Sequence, residues 1–198
     1  MEDEFMSETT EKYQVSQKKT IEEYAKLDAE DESLAKWKAS FGLSADAKPY
    51  PVKADDKRTV VIVEMALVYP ENPELQDIVI PLEDASGNTL AKSEIKFEVK
   101  EKAVYDIRVR FRVQHELITG LRYLHLVKKA GIPVDKMDEP LGSYVPNTVE
   151  KPSYEKYLGK TEAPSGVFAR GQYAATTRFI DDDKTCHLQF SWTFKIVK

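Results

Sequence analysis

VFARGQYAATTRFIDDDKTCHLQFSWTFKI, residues Val167 to Ile196, decides the fold of this chain. Odd positions from Val167 through Ala169, Gly171, Tyr173, Ala175 and Thr177 to Phe179 share one face of an extended strand. The return segment puts Leu188, Phe190, Trp192, Phe194 and Ile196 on one face, and Gln189, Ser191, Thr193 and Lys195 on the other. A period of two is the pleat of a β-strand. The polar run Asp181-Asp182-Asp183-Lys184 joins the two strands as a turn, and its carboxylates are expected to form a solvated tip.

Upstream, the same period recurs. Tyr105, Ile107, Val109, Phe111 and Val113 alternate with Asp106, Arg108, Arg110 and Arg112, which marks a half-buried strand. Val61, Val63, Met65 and Leu67 alternate in an earlier one, whose other face carries Val60 and Ile62. Leu75 to Leu82, the set Ile95, Phe97 and Val99, and Leu121 to Val127 read as further strands. Asp84-Ala85-Ser86-Gly87-Asn88 is a turn signal. Short strands separated by turns, with little helix, predict a β-sandwich. Residues 131–160 hold Pro133, Pro140, Pro146 and Pro152 and read as one long loop.

The N-terminal part follows other rules. Residues 1 to about 18 are polar and offer little to bury, so they read as disordered when the protein is alone. Thr20 with Glu23 forms a capping box ahead of Ile21, Tyr24, Ala25 and Leu27. Leu34, Trp37 and Phe41 then share a helical face that Gly42 ends. Helices this short are marginal in water and need a surface to lie on. Ser44 to Arg58, with Pro49 and Pro51, reads as a linker. The expected domains are an arm, residues 1–56, with a helical hairpin at about 20–42, and a sandwich, residues 57–198.

At 198 residues, 41% of them hydrophobic, the chain can build one core. A net charge of −5 argues against general nucleic-acid binding and against simple adsorption to anionic membranes. The lone Cys186 excludes an intrachain disulfide framework and suits a reducing compartment. The longest apolar-rich run, Thr59 to Tyr69, is broken by Glu64 and too short to span a bilayer. Met1-Glu2-Asp3-Glu4 has none of the basic and apolar character of a secretory leader. These points predict a cytoplasmic protein.

No catalytic constellation emerges. His115, His125 and His187 lack metal-ligand spacing, and neither a phosphate-binding glycine loop nor a G-x-S-x-G nucleophile motif is present. The expectation is a non-enzyme without metal or cofactor.

Several motifs together resemble the Rho GDP-dissociation inhibitor family from about Thr20 onward. Leu27-Asp28-Ala29-Glu30-Asp31-Glu32-Ser33-Leu34 matches its arm motif. Arg112-Val113 to Glu116, with Gly120-Leu121-Arg122-Tyr123, matches a central strand pair. Gly142-Ser143-Tyr144-Val145-Pro146 matches a G-S-Y-x-P loop. Glu162-Ala163-Pro164-Ser165-Gly166 leads into Ala169-Arg170-Gly171 and the hairpin itself.

The resemblance implies an all-β, immunoglobulin-like β-sandwich preceded by a flexible arm. It also implies a two-part grip on prenylated Rho-family small GTPases. Leu27, Asp28, Asp31, Ser33, Leu34 and Trp37 would contact the GTPase switches, blocking nucleotide release. Helix capping is the competing role for Asp31 and Ser33. Leu67, Phe97, Tyr105, Leu117, Trp192 and Phe194 would line a pocket for a geranylgeranyl group, although each also suits an ordinary core. Asp135, Asp138, Glu139 and Glu162 would receive the partner's basic tail. The implied complex is one to one, with the inhibitor a monomer when alone, without nucleic acid and without direct membrane insertion. A prenyl-binding trafficking chaperone of similar fold, indifferent to the switches, is the alternative.

The chain departs from the family pattern at Trp37, where tyrosine is common, and at Ala175 and Phe190, where larger side chains occur. Glu139 stands in place of an aromatic, and Lys96 and Gln172 stand where some relatives carry phosphorylatable serines. Pocket width and that regulation are the properties these changes touch.

Overall fold

The computed structural model of the chain describes residues 48–90 and 95–198. The expected arm hairpin, with Leu27, Asp28, Asp31, Ser33, Leu34 and Trp37, lies outside the described residues. Two sheets face one another. In one, β1 (Val60–Val68) pairs with β2 (Ile78–Pro81) and β4 (Val104–Val113), and β7 (Tyr154–Glu162) flanks β4, all antiparallel. The other runs in the order β3 (Lys96–Lys100), β9 (Cys186–Val197), β8 (Gly171–Ile180), β5 (Ile118–Lys129), β6 (Ile132–Tyr144). Among the described strands only the β3–β9 pair is parallel. The expected all-β sandwich is thus observed.

The β8–β9 hairpin has the predicted faces. Tyr173, Ala175, Thr177 and Phe179 oppose Phe194, Trp192, Phe190 and Leu188 across the ladder. Strand structure begins at Gly171, and Val167 and Ala169 belong to the preceding loop. The turn is no solvated tip throughout. Asp181 is buried, accepts a hydrogen bond from the Thr185 amide at 2.9 Å, and lies 2.9 Å from His187 Nε2. A short carboxylate that satisfies a turn amide and a ring nitrogen is a structural pin.

Three other expectations are corrected. The long loop at residues 131–160 is mostly strand, since β6 and part of β7 occupy it. Prolines misled here. Strand β6 lies at a sheet edge, where a residue without an N–H is tolerated on the outward side. In β1 the register shifts between Ile62 and Glu64. That bulge puts Val60 and Ile62, then Met65 and Leu67, into the core cluster, instead of Val61 and Val63 with Met65. The run Leu75 to Leu82 pairs only over Ile78–Pro81.

The linker is docked from Lys48 onward. The Tyr50 amide donates to the Asn147 carbonyl, and the Val149 amide to the Lys48 carbonyl, each at 2.9 Å. Asn147 is buried, and its Oδ1 accepts from the Val113 amide at 2.7 Å. Arg58 holds the Asp56 carboxyl well below the usual range through a paired contact at 2.8 and 2.6 Å. A boundary at residue 57 would therefore cut through residues bonded to the sandwich.

The sandwich is packed differently at its two ends. Where β4 finishes, Phe111, Tyr144 and Tyr154 interlock with ring centroids 4.6–5.7 Å apart. Tyr144 and Tyr154 keep their hydroxyls satisfied on the carbonyls of Leu141 and Val145. Where β4 starts, the sheets do not close completely.

Candidate functional site

Between the sheets at the start of β4 lies a cavity of about 370 Å³. Leu67 from β1, Tyr105 and Ile107 from β4 and Val99 from β3 form part of its wall. His125 and Val127 from β5, Tyr173 from β8, and Trp192, Phe194 and Ile196 from β9 add to it. Each is the inward member of its strand's alternation, so the cavity follows from the same period that made the sandwich.

Stacked rings hold the wall open. Trp192 lies 5.3 Å from the His125 ring and 5.2 Å from Phe97, and Phe194 stacks on Tyr173 at 5.0 Å. His125 stacks in turn on Tyr123 at 5.6 Å. One hydroxyl organises this row. Trp192 Nε1–H donates to Thr177 Oγ1 at 3.0 Å, and Thr177 Oγ1 bonds His125 Nδ1 at 3.0 Å. Thr177 is fully buried, so its bonds to the two rings meet no competition from water. Burial lowers the His125 pKa to about 4, keeping the ring neutral at pH 7. Burial, then the Asp135 charge, pushes the Tyr105 hydroxyl up to about 12. The cavity is therefore an uncharged space with few polar groups, the character of a site for an apolar ligand.

Its mouth is different. Asp135 on β6 and Glu162 on β7 are exposed and lie on the rim beside Val134, Met137 and Pro164. Of the four candidate acidic residues, these two come together. Glu139 is half-buried opposite Tyr123, deeper along the same inward face. Asp138 points to the outer face, where Arg122 grips it at 2.9 and 2.7 Å.

Four of the six candidate pocket residues, Leu67, Tyr105, Trp192 and Phe194, lie on the cavity wall. Phe97 stands behind it, stacked on Trp192 and Phe194. Leu117 does not belong to the wall. It sits half-buried in the β4–β5 connection, at the closed end of the sandwich. Sequence reasoning missed His125, Thr177 and Tyr173 as wall and support. The inward alternation Tyr123, His125, Val127 was the available signal for the first of these.

The rim is stiff. Glu101 pairs with Arg170 at 2.7 and 3.1 Å and accepts from the Gly166 amide at 3.0 Å. Arg170, then the Gly166 amide, draws the Glu101 carboxyl down to about 2. Lys129 Nζ donates to the carbonyls of Phe168, Ala169 and Arg170, tying the loop before β8 to the end of β5.

Fold and site together define a β-sandwich binding protein with an internal apolar cavity and an acidic mouth. The chain belongs to the RHO protein GDP dissociation inhibitor family, whose family model matches residues 1–198. It is 50% identical over 186 residues to the Rho GDP-dissociation inhibitor of Saccharomyces cerevisiae, covering 94% of this chain and 90% of that protein. It is 41% identical over 184 residues to the Schizosaccharomyces pombe protein of the same name, covering 93% of this chain and 85% of that one. To human Rho GDP-dissociation inhibitor 1 it is 37% identical over 189 residues, covering 94% and 85%.

Proposed function

We propose that the chain is a non-catalytic Rho GDP-dissociation inhibitor that binds prenylated Rho-family GTPases one to one, slows their GDP release and carries them from membranes into the cytosol. The observation that carries this reading is the 370 Å³ apolar cavity between the sheets, in a chain of this family. A prenyl chain gains about 0.8 kcal/mol per CH₂ wherever it is buried, and the bilayer offers the same gain. A cavity alone therefore only competes with the membrane. Contacts to the GTPase switches through Asp28, Asp31, Ser33, Leu34, Leu27 and Trp37 would supply the difference, and joining both to one ligand gives avidity. Switch loops interconvert between ordered and disordered forms, so a partner that prefers the ordered form slows nucleotide loss. Asp135 and Glu162, with Glu139 behind them, would meet a basic tail at the mouth, an electrostatic aid to association.

The test is GDP release from prenylated and unprenylated Rho-family GTPase, paired with mass spectrometry of the GTPase captured from cytosol. Slowed release and capture of the prenylated form support the reading. Capture of prenylated proteins without any effect on GDP release would favour a lipid-carrying chaperone instead.

A further inference from the structure

Along the strands the cavity has a definite end. On β5 the inward residues Val127 and His125 belong to its wall, and Tyr123, the next one in, is fully buried behind His125. On the facing sheet Leu67 and Ile107, partners in the β1–β4 ladder, belong to the wall, and the next inward pair, Met65 and Val109, is fully buried. The inner residues of the two sheets meet, because the Tyr123 hydroxyl lies 4.0 Å from Met65 Sδ. Phe179 packs edge-on against the same tyrosine at 5.5 Å. Tyr123 is therefore a fixed bulkhead. The His125 ring, stacked on it at 5.6 Å, stands between that bulkhead and the cavity.

We infer that His125 is the specificity-determining residue for lipid length, its ring filling the space that one further isoprene unit would take. The inference rests on the proposed prenyl ligand. Position is the first argument. Asp135 marks the mouth on the edge strand β6, opposite Val127, whereas His125 lies two residues farther along β5, about 6.8 Å nearer the closed end. A chain anchored at the mouth thus points its far units, not its attachment point, at His125. Size is the second. An imidazole ring and an isoprene unit have the same number of heavy atoms, so removing the one makes room for the other. The third is that the wall does not depend on this ring. Without it, Trp192 Nε1–H still has Thr177 Oγ1 as acceptor at 3.0 Å, and Tyr123 still has Met65 and Phe179. The surroundings of a truncated core side chain relax only in part, so the space persists and ends at Tyr123.

The test uses the full chain and a short fluorescent peptide in two forms, ending in S-farnesylcysteine or S-geranylgeranylcysteine, titrated without any GTPase. The readout is the ratio of affinities for the longer and the shorter lipid, in wild type and in His125→Phe, His125→Val and His125→Ala. The ratio should stay near wild type in the Phe variant, which keeps a ring of similar size. It should rise in Val and further in Ala, there by about tenfold or more, the discrimination an apolar pocket draws from a methylene it can or cannot seat. His125→Val, whose branched side chain suits a strand, carries the same test if the Ala variant melts below the assay temperature. A ratio unmoved by Val and Ala would overturn the inference and leave the proposed lipid site standing. So would an equal loss of affinity for both lipids, which would make His125 a packing residue alone. Failure of wild type to bind either peptide would overturn it together with the proposed prenyl site.

Discussion

Leu67→Trp separates a cavity from a core. Leu67 is 3% exposed and lies on the cavity wall from β1. Were the sandwich solid there, the larger ring would overpack it, at about 1–3 kcal/mol. For a domain of this size that is a fall in Tm of roughly 2–12 °C, at about 2–4 °C per kcal/mol. The 370 Å³ of free space absorbs the ring instead, so the expected shift is within about 2 °C. The bound lipid then meets the indole. If the ring displaces about three lipid carbons, the loss is about 2.4 kcal/mol at 0.8 per CH₂. That is about a 50-fold rise in Kd for the prenylated GTPase. Binding to the unprenylated form, through the arm, should not change. The assay is a melting curve alongside titrations with both forms. A Tm fall of many degrees with prenyl selectivity intact would refute the reasoning and make Leu67 part of a closed core.

Deleting residues 1–47, which spares the docked segment from Lys48, should abolish the slowing of GDP release while the melting temperature holds; retained inhibition would end the two-part mechanism. Asp31→Ala should weaken GTPase affinity by about 2–5 kcal/mol, the scale of a truncated interface charge, and lower Tm little, whereas equal small effects would indicate a helix cap alone. Thr177→Val strands Trp192 Nε1–H and removes the His125 partner, so urea titration should find a loss of about 1–3 kcal/mol; no change would mean that the rings hold themselves. His125 has a folded pKa of about 4, below its unfolded value of about 6.5, so the unfolded state takes up the proton first. Its effect is absent above about pH 6.5 and costs up to about 3 kcal/mol as pH falls to 4. His125→Gln should flatten that part of the stability curve, and an unchanged slope would assign it to other groups.

The hairpin from Gly171 to Val197 was legible because both strands keep an unbroken period of two. Strand β6 was not, because Pro133 and Pro140 carry the same signal at a sheet edge as in a loop. The bulge at Val63 escaped notice because β1 is apolar on both faces ahead of it, and Glu64, the one polar residue of the strand, falls on the outer face in either register. Asp181 looked solvated because its burial depends on Thr185 and His187, which only the folded turn brings to it. The cavity was legible as a list of residues but not as a space. Leu67 and Trp192 would be the same residues in a solid core, and the volume depends on how far the sheets part. Leu117 shows the converse, since its apolar character suited the wall while its place in the chain put it at the closed end.

The anchoring of Tyr50 on Asn147, beside Val113, has a geometric consequence. Val113 ends β4, whereas Tyr105, on the cavity wall, stands near its start. Eight residues of extended strand separate them, about 27 Å at some 3.4 Å per residue. The described chain thus begins at one end of the sandwich while the cavity mouth lies toward the other, and the β-sheet between them acts as a ruler. Under the proposed function, a partner held at both places would have to keep its switch surface and its lipid a fixed distance apart. Free lipid, or a short prenylated peptide, spans only one end of that ruler. A GTPase whose lipid-bearing tail is shortened would lose the joint grip before it lost either contact alone.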